Sequence, residues 1–349
     1  MIELISYSAA RMEEIMSQTI RIAVDAMGGD YAPAEIVKGT VAATKENSNI
    51  KLFLVGNEEA IKKELEQLTF NKNQVEIVPT TEEITCEEAP VEAIRKKKDS
   101  SLVVAMKMVK EGKADAVISA GSTGAVLVGG QVIAGKIKGI KRSPLATLIP
   151  TLKGVSLLID CGANVDARAE HLVQFAQMGS LYMENVVGVK NPKVSLVNIG
   201  AEEAKGNALV KETYPLLKEL DNINFAGNIE PRDIFYGETD VVLCEAFVGN
   251  VILKLAEGLS GALIGAIKEG MMTSTRSKVG GMLVKPALKQ TLKQFDASEY
   301  GGAPLLGLNG LVVKMHGNST AKEVQIAVKQ CVTFKEQGIN EKIKEQLGK

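Results

Sequence analysis

The chain has 349 residues, about two domains' worth at roughly 150 residues each, and its 45% hydrophobic and 24% charged residues describe a folded protein, not a disordered, collagen-like or mucin-like one. Its 41 Lys and Arg against 42 Asp and Glu leave a net charge of -1, and aromatics are 4% with no Trp, so neither a basic field nor a stacking platform points to nucleic acid. The four cysteines, Cys86, Cys161, Cys244 and Cys331, form no Cys-x-x-Cys pair, and with only His171 and His316 beside them they fit reduced cytoplasmic thiols better than a zinc site.

Residues 1–19 carry Glu3, Glu13 and Glu14 and lack the basic start and unbroken apolar run of a secretion signal. They are expected to be a dispensable, poorly ordered extension, with Met16 an alternative start. From Ile20 onward, short β-branched runs predict strands at 20–25, 51–55, 75–78, 115–119, 155–160, 193–198, 223–226 and 240–243. Helical periodicity fills the gaps at 34–45, 58–68, 101–110, 123–135, 169–185, 207–220, 250–272 and 319–336, with Pro33 suited to a first helical turn and Asn57 to a cap. The alternation predicts an α/β protein of three layers, α/β/α, around one continuous and largely parallel sheet. No repeat or linker divides the chain, so residues 20–349 read as a single domain, with a protruding helical segment near 271–292.

Residues 116–135 hold no charge over a bilayer-spanning length, yet Gly121, Gly124, Gly129, Gly130 and Gly135 make a buried strand–turn–helix the better reading. In open parallel sheets ligands bind beyond the carboxyl ends of strands. Glycines and small polar residues recur there: Asp25-Ala-Met-Gly-Gly-Asp30 (with Gly28 and Gly29), Ser119-Ala-Gly-Ser-Thr-Gly124, Asp160-Cys-Gly-Ala-Asn164, and Asn198 to Asn207. Gly121, Ser122, Thr123 and Gly124 form the best phosphate candidate, because glycines admit close backbone approach and hydroxyls add donors to the amides of a helix start. An ordinary strand–helix turn with a Ser/Thr cap is the competing reading.

Lys205, flanked by Gly206 and Asn207, suits a cation held over an anion, or else a solvated surface lysine. His316 follows the apolar run 311–313 and precedes a helix, making it a better acid/base or anion contact than His171, which falls inside a predicted helix among polar neighbours. Cys161 has no nearby base and reads as a buried thiol. Two basic clusters, 95–98 and the spread Lys136, Lys138, Lys141 and Arg142, are solvated faces or docking sites for an acidic carrier. Residues 271–292 join Met271, Met272, Val279, Met282, Leu283, Val284 and Leu288 to Arg276, Lys278, Lys285 and Lys289 without an acid, a composition for an anionic lipid surface or for packing against a partner.

Together, residues 22–30, 119–125, 160–166, Lys205-Gly-Asn207 and Tyr300-Gly-Gly-Ala-Pro-Leu-Leu-Gly-Leu-Asn-Gly310 resemble the PlsX family of bacterial phosphate acyltransferases from about Ile20 to the last helix. The resemblance implies acyl transfer from acyl-acyl carrier protein to inorganic phosphate, giving acyl phosphate for glycerophospholipid synthesis, with no cofactor or metal. It implies a fold similar to isocitrate/isopropylmalate dehydrogenases and phosphotransacetylases, a homodimer, a cytoplasmic location with peripheral membrane contact, and a membrane glycerol-3-phosphate acyltransferase as partner. Family active-site groups map to Lys205 and Glu245. This sequence reads Glu245-Ala-Phe-Val-Gly-Asn250 where Asp-Gly-Phe-Thr-Gly-Asn is usual, a longer acid without the hydroxyl.

The chemistry requires a phosphate oxygen to attack a thioester carbonyl, an oxyanion to be held and a thiolate to leave, which amide N–H groups and a lysine can serve. Phosphate is therefore expected at Gly121 to Gly124 with Lys205; Asp25, Gly28, Gly29 and Asn250 are expected to bind substrate, and Asn164, Asn207 and His316 to orient or polarise it. The rivals are an NAD-dependent β-decarboxylating dehydrogenase, which needs an arginine cluster and paired metal-binding aspartates, and a non-catalytic phosphate- or lipid-binding scaffold.

Overall fold

The computed structural model describes residues 19–295 and 300–348; the N-terminal extension expected over residues 1–19 therefore lies almost wholly outside the described residues. The first elements are β1 (Ile20–Asp25), α1 (Ala34–Thr44), β2 (Ile50–Gly56), α2 (Glu58–Leu65), β3 (Val75–Pro79), α3 (Pro90–Lys96), α4 (Ser101–Lys110), β4 (Ala116–Ser119) and α5 (Thr123–Gly129). There follow β5 (Ala146–Thr151), β6 (Gly154–Ile159), α6 (Ala169–Tyr182), β7 (Lys193–Val197), α7 (Ala208–Lys218), β8 (Asn224–Ile229) and β9 (Val241–Leu243). The last are α8 (Ala246–Met272), α9 (Thr275–Gln294), β10 (Ala303–Leu305), β11 (Leu311–Lys314), α10 (Ala321–Glu336) and α11 (Ile339–Leu347).

The protein is α/β, but the expected single continuous sheet is corrected: two sheets form, one in each of two compact units. The first unit lies within Met1–Ser143, Asn185–Gly188 and Ser298–Lys349, the second within Pro144–Glu184 and Val189–Ala297. The sheet of the first runs β10-β11-β4-β1-β2-β3, that of the second β5-β6-β9-β7-β8, and both are parallel except for one antiparallel edge strand each, β10 and β5. Those two edge strands were not foreseen. Each carries a proline, Pro304 and Pro150, which argues against a central strand and is tolerated at an edge because no ladder hydrogen bond is needed from it there.

Central strands are apolar on both faces because helices cover both sides. In the first unit Ile22, Val24, Leu52, Leu54 and Val117 are fully buried; in the second, Leu157 to Ile159 and Val241 to Leu243 are. Each such side chain contributes about 1.5–3 kcal/mol through removal from water. Asn57 caps α2 as its sequence position suggests, accepting the Ala60 N–H at 3.0 Å. The uncharged run 116–135 forms β4, α5 and a short π-helical continuation, largely buried within the protein.

Candidate active site

In the first unit β11, β4 and β1 are neighbours, so the turns leaving their carboxyl ends meet. Asp25 ends β1 and is buried; its Oδ2 accepts the Ser119 hydroxyl at 2.6 Å, while the Ser119 oxygen accepts the Gly121 N–H at 3.1 Å. This chain of bonds fixes the 119–124 turn to β1. Burial raises the Asp25 carboxyl above its ordinary range, opposed by hydrogen bonds from Ser101, Ser119 and the amides of Met27 and Gly28.

The glycines make this closeness possible. A Cβ on Gly28 would lie 2.5 Å from Asp25 Oδ2 and 2.7 Å from the Gly121 nitrogen. Gly29 adopts φ +113, where side chains are strained, and the Asp30 N–H reaches the Gly317 carbonyl at 2.7 Å. The third turn thus joins the other two, and the Met315 N–H bonds the Ser119 carbonyl at 2.9 Å. Asp25, Gly28, Gly29, Gly121 to Gly124 and the His316 turn therefore form one crest, with the His316 side chain exposed.

Ser122 is buried and caps α5, accepting the Ala125 N–H at 3.5 Å. The amides of Thr123 and Gly124 take no acceptor among the described residues. The cap and the open amides coexist: Ser122 answers one donor of the helix start and leaves two others open.

The second unit treats its strand ends differently. The buried Asp160 follows β6, and its Oδ1 accepts the amides of Leu145 (3.1 Å), Gly162 (3.1 Å) and Ala163 (3.0 Å), while Oδ2 accepts the Asn164 amide (2.9 Å) and side chain (2.7 Å). Asn164, expected to polarise substrate, instead places its side-chain donor on Asp160. Burial raises Asp160, against the hydrogen bonds it accepts. Burial, and then the neighbouring Asp160, pushes the Cys161 thiol well up, so its thiolate is disfavoured.

Glu245 is the N-cap of α8: its carboxylate accepts the Phe247 amide at 2.6 Å and the Val248 amide at 2.9 Å. The helix therefore starts at Ala246, four residues earlier than periodicity suggests, and Asn250 stands exposed one turn into it instead of at its first residue. Gly249 explains the shift, because a Cβ there would fall 1.9 Å from the Asp160 carbonyl oxygen, and only glycine lets the helix start approach β6 so closely.

Lys205 is half-exposed and pairs with Glu202 at 2.9 Å, and Asn207 caps α7 by accepting the Val210 N–H at 2.9 Å. Asn198, to which the sequence assigned no role of its own, holds this loop with its side-chain NH₂ on the Lys205 carbonyl at 3.1 Å. Lys205, Asn207, Asn164, Glu245 and Asn250 belong to the second unit and the crest residues to the first. His171, placed among polar neighbours by sequence, is buried; its Nδ1 accepts the Arg168 N–H at 3.1 Å and its ring stacks on Phe175.

Lys136, Lys138, Lys141 and Arg142 are all exposed, on a segment anchored by buried Ile137 and Ile140, and Lys136 Nζ donates to the Lys141 carbonyl at 2.6 Å. Among the described residues no three His, Cys, Asp or Glu side chains gather as a metal site would require. Residues 271–292 span the end of α8, a two-residue turn and most of α9, a helix without a buried residue.

Glycine-lined turns at the carboxyl ends of two mostly parallel sheets define the class: an α/β protein, a class whose ligands bind beyond the carboxyl ends of the strands. Over 95% of this chain and 98% of the other, the fold matches a phosphotransacetylase from Streptococcus pyogenes with a TM-score of 0.63 at 18% identity. In sequence, the chain is 51% identical over 327 residues to a phosphate acyltransferase of Clostridium botulinum (strain Loch Maree), covering 94% of this chain and 97% of that one. It is 50% identical over 326 residues to a phosphate acyltransferase of Clostridium acetobutylicum, covering 93% and 98%. The family model described as "Fatty acid synthesis protein" matches residues 20–342, and the chain belongs to that family.

Proposed function

We propose that the chain is an acyltransferase that moves an acyl group from acyl carrier protein to inorganic phosphate. In this reaction a phosphate oxygen attacks the thioester carbonyl, the C–S bond breaks, the phosphopantetheine thiolate leaves and an acyl phosphate forms for glycerophospholipid synthesis. The observation that carries the reading is the 119–124 turn, whose Thr123 and Gly124 amides face no acceptor of the described protein while Asp25 and Ser119 hold the turn rigid. Preorganised amides stabilise a dianion without reorganisation at the moment of attack. The relatives named phosphate acyltransferase support this activity and do not favour the dehydrogenase alternative.

The test incubates acyl-acyl carrier protein with phosphate and traps the product with hydroxylamine. Phosphate-dependent hydroxamate and free carrier thiol are expected; binding of phosphate without thiol release would favour a non-catalytic scaffold. Lys205→Ala should lower acyl-phosphate formation at least about tenfold, the loss of one charge-assisted contact. Its pair with Glu202 is solvent-exposed and contributes little to stability, so the variant should stay folded. Full turnover by folded Lys205→Ala would remove that residue from the site.

We also propose a cytoplasmic protein that rests on the membrane through α8 and α9, acts as a homodimer and delivers product to a membrane glycerol-3-phosphate acyltransferase. Support comes from α8, which is 27 residues long and apolar enough by length and composition to cross a bilayer, with Leu255, Leu259, Leu263 and Ile267 exposed along one stripe. In α9, exposed Met282 and Leu283 accompany Arg276, Lys278, Lys285, Lys289 and Lys293, the mixture that lies in an anionic interface. Flotation with anionic vesicles and light scattering test these statements separately.

A further inference from the structure

The loop that carries Lys205 is held at both ends of one turn. The Lys205 N–H bonds the Glu202 carbonyl at 3.2 Å, closing residues 202–205, and the Asn198 side chain, from the residue after β7, donates to the Lys205 carbonyl at 3.1 Å. At the other end, Asn228 of β8 donates its Nδ2 to the Glu202 carbonyl, also at 3.1 Å. The position of Asn228 depends on a bulge: β8 has one residue more than β7 between the pairs Val194–Phe225 and Leu196–Asn228, with Gly227 at φ +91 in that stretch. An unbroken register would set Gly227 opposite Leu196, and such a bulge re-aims the side chain that follows it.

The Oδ1 of Asn228 is buried and meets no donor among the described residues, a cost that leucine in its place would avoid. What the amide contributes in return is its bond to the turn. Gly200 governs the side chain: a Cβ there would lie 2.6 Å from Lys205 Cδ, 2.8 Å from Glu202 Oε2 and 3.0 Å from Lys205 Nζ. The lysine stem therefore crosses directly over the Gly200 backbone, and the bare Cα decides where the ammonium comes to rest. A half-exposed lysine otherwise samples many rotamers, and ordering it on binding costs entropy. We infer that Gly200 and Asn228 are positioning residues for Lys205: Asn228 fixes the backbone of its turn and Gly200 the track of its side chain, so the ammonium is aimed before an anionic substrate arrives. This rests on the reading of Lys205 as a contact for that anion, and it deepens the reading by naming what aims the cation.

The experiment uses the full chain in a double-mutant cycle: wild type, Gly200→Ala, Asn228→Leu, Lys205→Ala, and each of the first two combined with Lys205→Ala, all in the acyl-phosphate assay. The methyl of Gly200→Ala meets only flexible side-chain atoms of Lys205 and Glu202, and Asn228→Leu removes the orphaned acceptor, so both should keep Tm within about 3 °C of wild type. Each should nevertheless lower kcat/KM for phosphate about three- to tenfold, the range for one hydrogen bond, with the KM for acyl carrier protein within about twofold. In the Lys205→Ala background neither should lower it further. Undiminished single variants, equal losses with and without Lys205, or losses that only track a fall in Tm each overturn the inference.

Hydrogen exchange provides a readout independent of turnover. Asn228→Leu should speed exchange at the Lys205 amide severalfold, because its acceptor, the Glu202 carbonyl, is no longer anchored to β8. Unchanged exchange there rejects the anchoring role. If Asn228→Leu fails to fold, Asn228→Ala takes its place with the same expectations. Full turnover by Lys205→Ala is a separate outcome: it overturns the reading of Lys205 itself and takes the inference with it, whereas an impaired Lys205→Ala without coupling to Gly200 or Asn228 overturns the inference alone.

Discussion

The strand ends of the two units use the same residue types in opposite ways. In the second unit the chain's own anions occupy the amide nests: Asp160 takes the amides of Leu145, Gly162, Ala163 and Asn164, and Glu245 takes those of Phe247 and Val248. In the first, Asp25 spends its carboxylate on Ser119 and on the amide of Met27, and the Thr123 and Gly124 amides at the start of α5 remain open. A glycine-rich turn after a parallel strand is therefore not by itself a site for an external anion. What decides is whether a carboxylate of the same chain already fills it.

That contrast can be broken by emptying the nest of the second unit. Asp160→Ala leaves several buried N–H donors without an acceptor and should destabilise the protein by about 3 kcal/mol or more, read from denaturant unfolding. Added phosphate or sulfate should restore part of the loss as an external anion takes the vacated place; no anion rescue would show that this nest is shaped for a tethered carboxylate alone.

Gly28→Ala probes the opposite crest. Its methyl would intrude on Asp25 and the Gly121 nitrogen, moving the turn by a fraction of an ångström, and activity should fall about a hundredfold, as is typical for misplaced catalytic groups. Retention of wild-type rates would detach the crest from the reaction.

A third variant, Asp25→Asn, sharpens the electrostatics. Burial raises Asp25, so the folded state holds its proton more tightly than the unfolded chain does. The contribution of this group to stability is thus fully present below its ordinary pKa and is lost as pH rises through the higher folded-state value. Asp25→Asn should flatten that part of the stability–pH profile, and an unaltered profile would mean that the aspartate is ionised at little cost in the fold.

The smallest effect is expected at Lys136, Lys138, Lys141 and Arg142. Reversing their charges should raise the KM for acyl carrier protein severalfold at low salt, consistent with exposed pairs of about 0.2–1 kcal/mol each, and the difference should fade as the screening length contracts to about 10 Å at 0.1 M. A salt-independent KM would move carrier docking elsewhere.

Much of the framework was legible because local signals agreed. Helix α4 falls at 101–110 and β1 at 20–25 as their periodicities predict, and Asn57 does cap α2. The strand–helix turn at 119–124 was legible too, since glycine, hydroxyl and helix start coincide in six residues. Other features depended on partners distant in sequence. Edge strands β5 and β10 were hidden by their prolines, and α8 begins early only because Gly249 meets the Asp160 carbonyl across the unit. That Asn164 bonds the Asp160 carboxylate and Glu245 caps α8 could not be read locally, since each depends on the fold around it. Lys314, at the end of the apolar strand β11, is buried, yet nothing local distinguishes a buried lysine from a solvated one.

The sequence by itself determined the α/β class, the positions of most elements and the family, because these follow from hydrophobic period, turn chemistry and ordered motifs, all short-range along the chain. Tertiary structure alone decided that the strands divide into two sheets, which amide nests stay open, and which charged side chains are buried. Those outcomes depend on which strands become neighbours, and that choice lies in packing free energy summed over residues far apart in the chain.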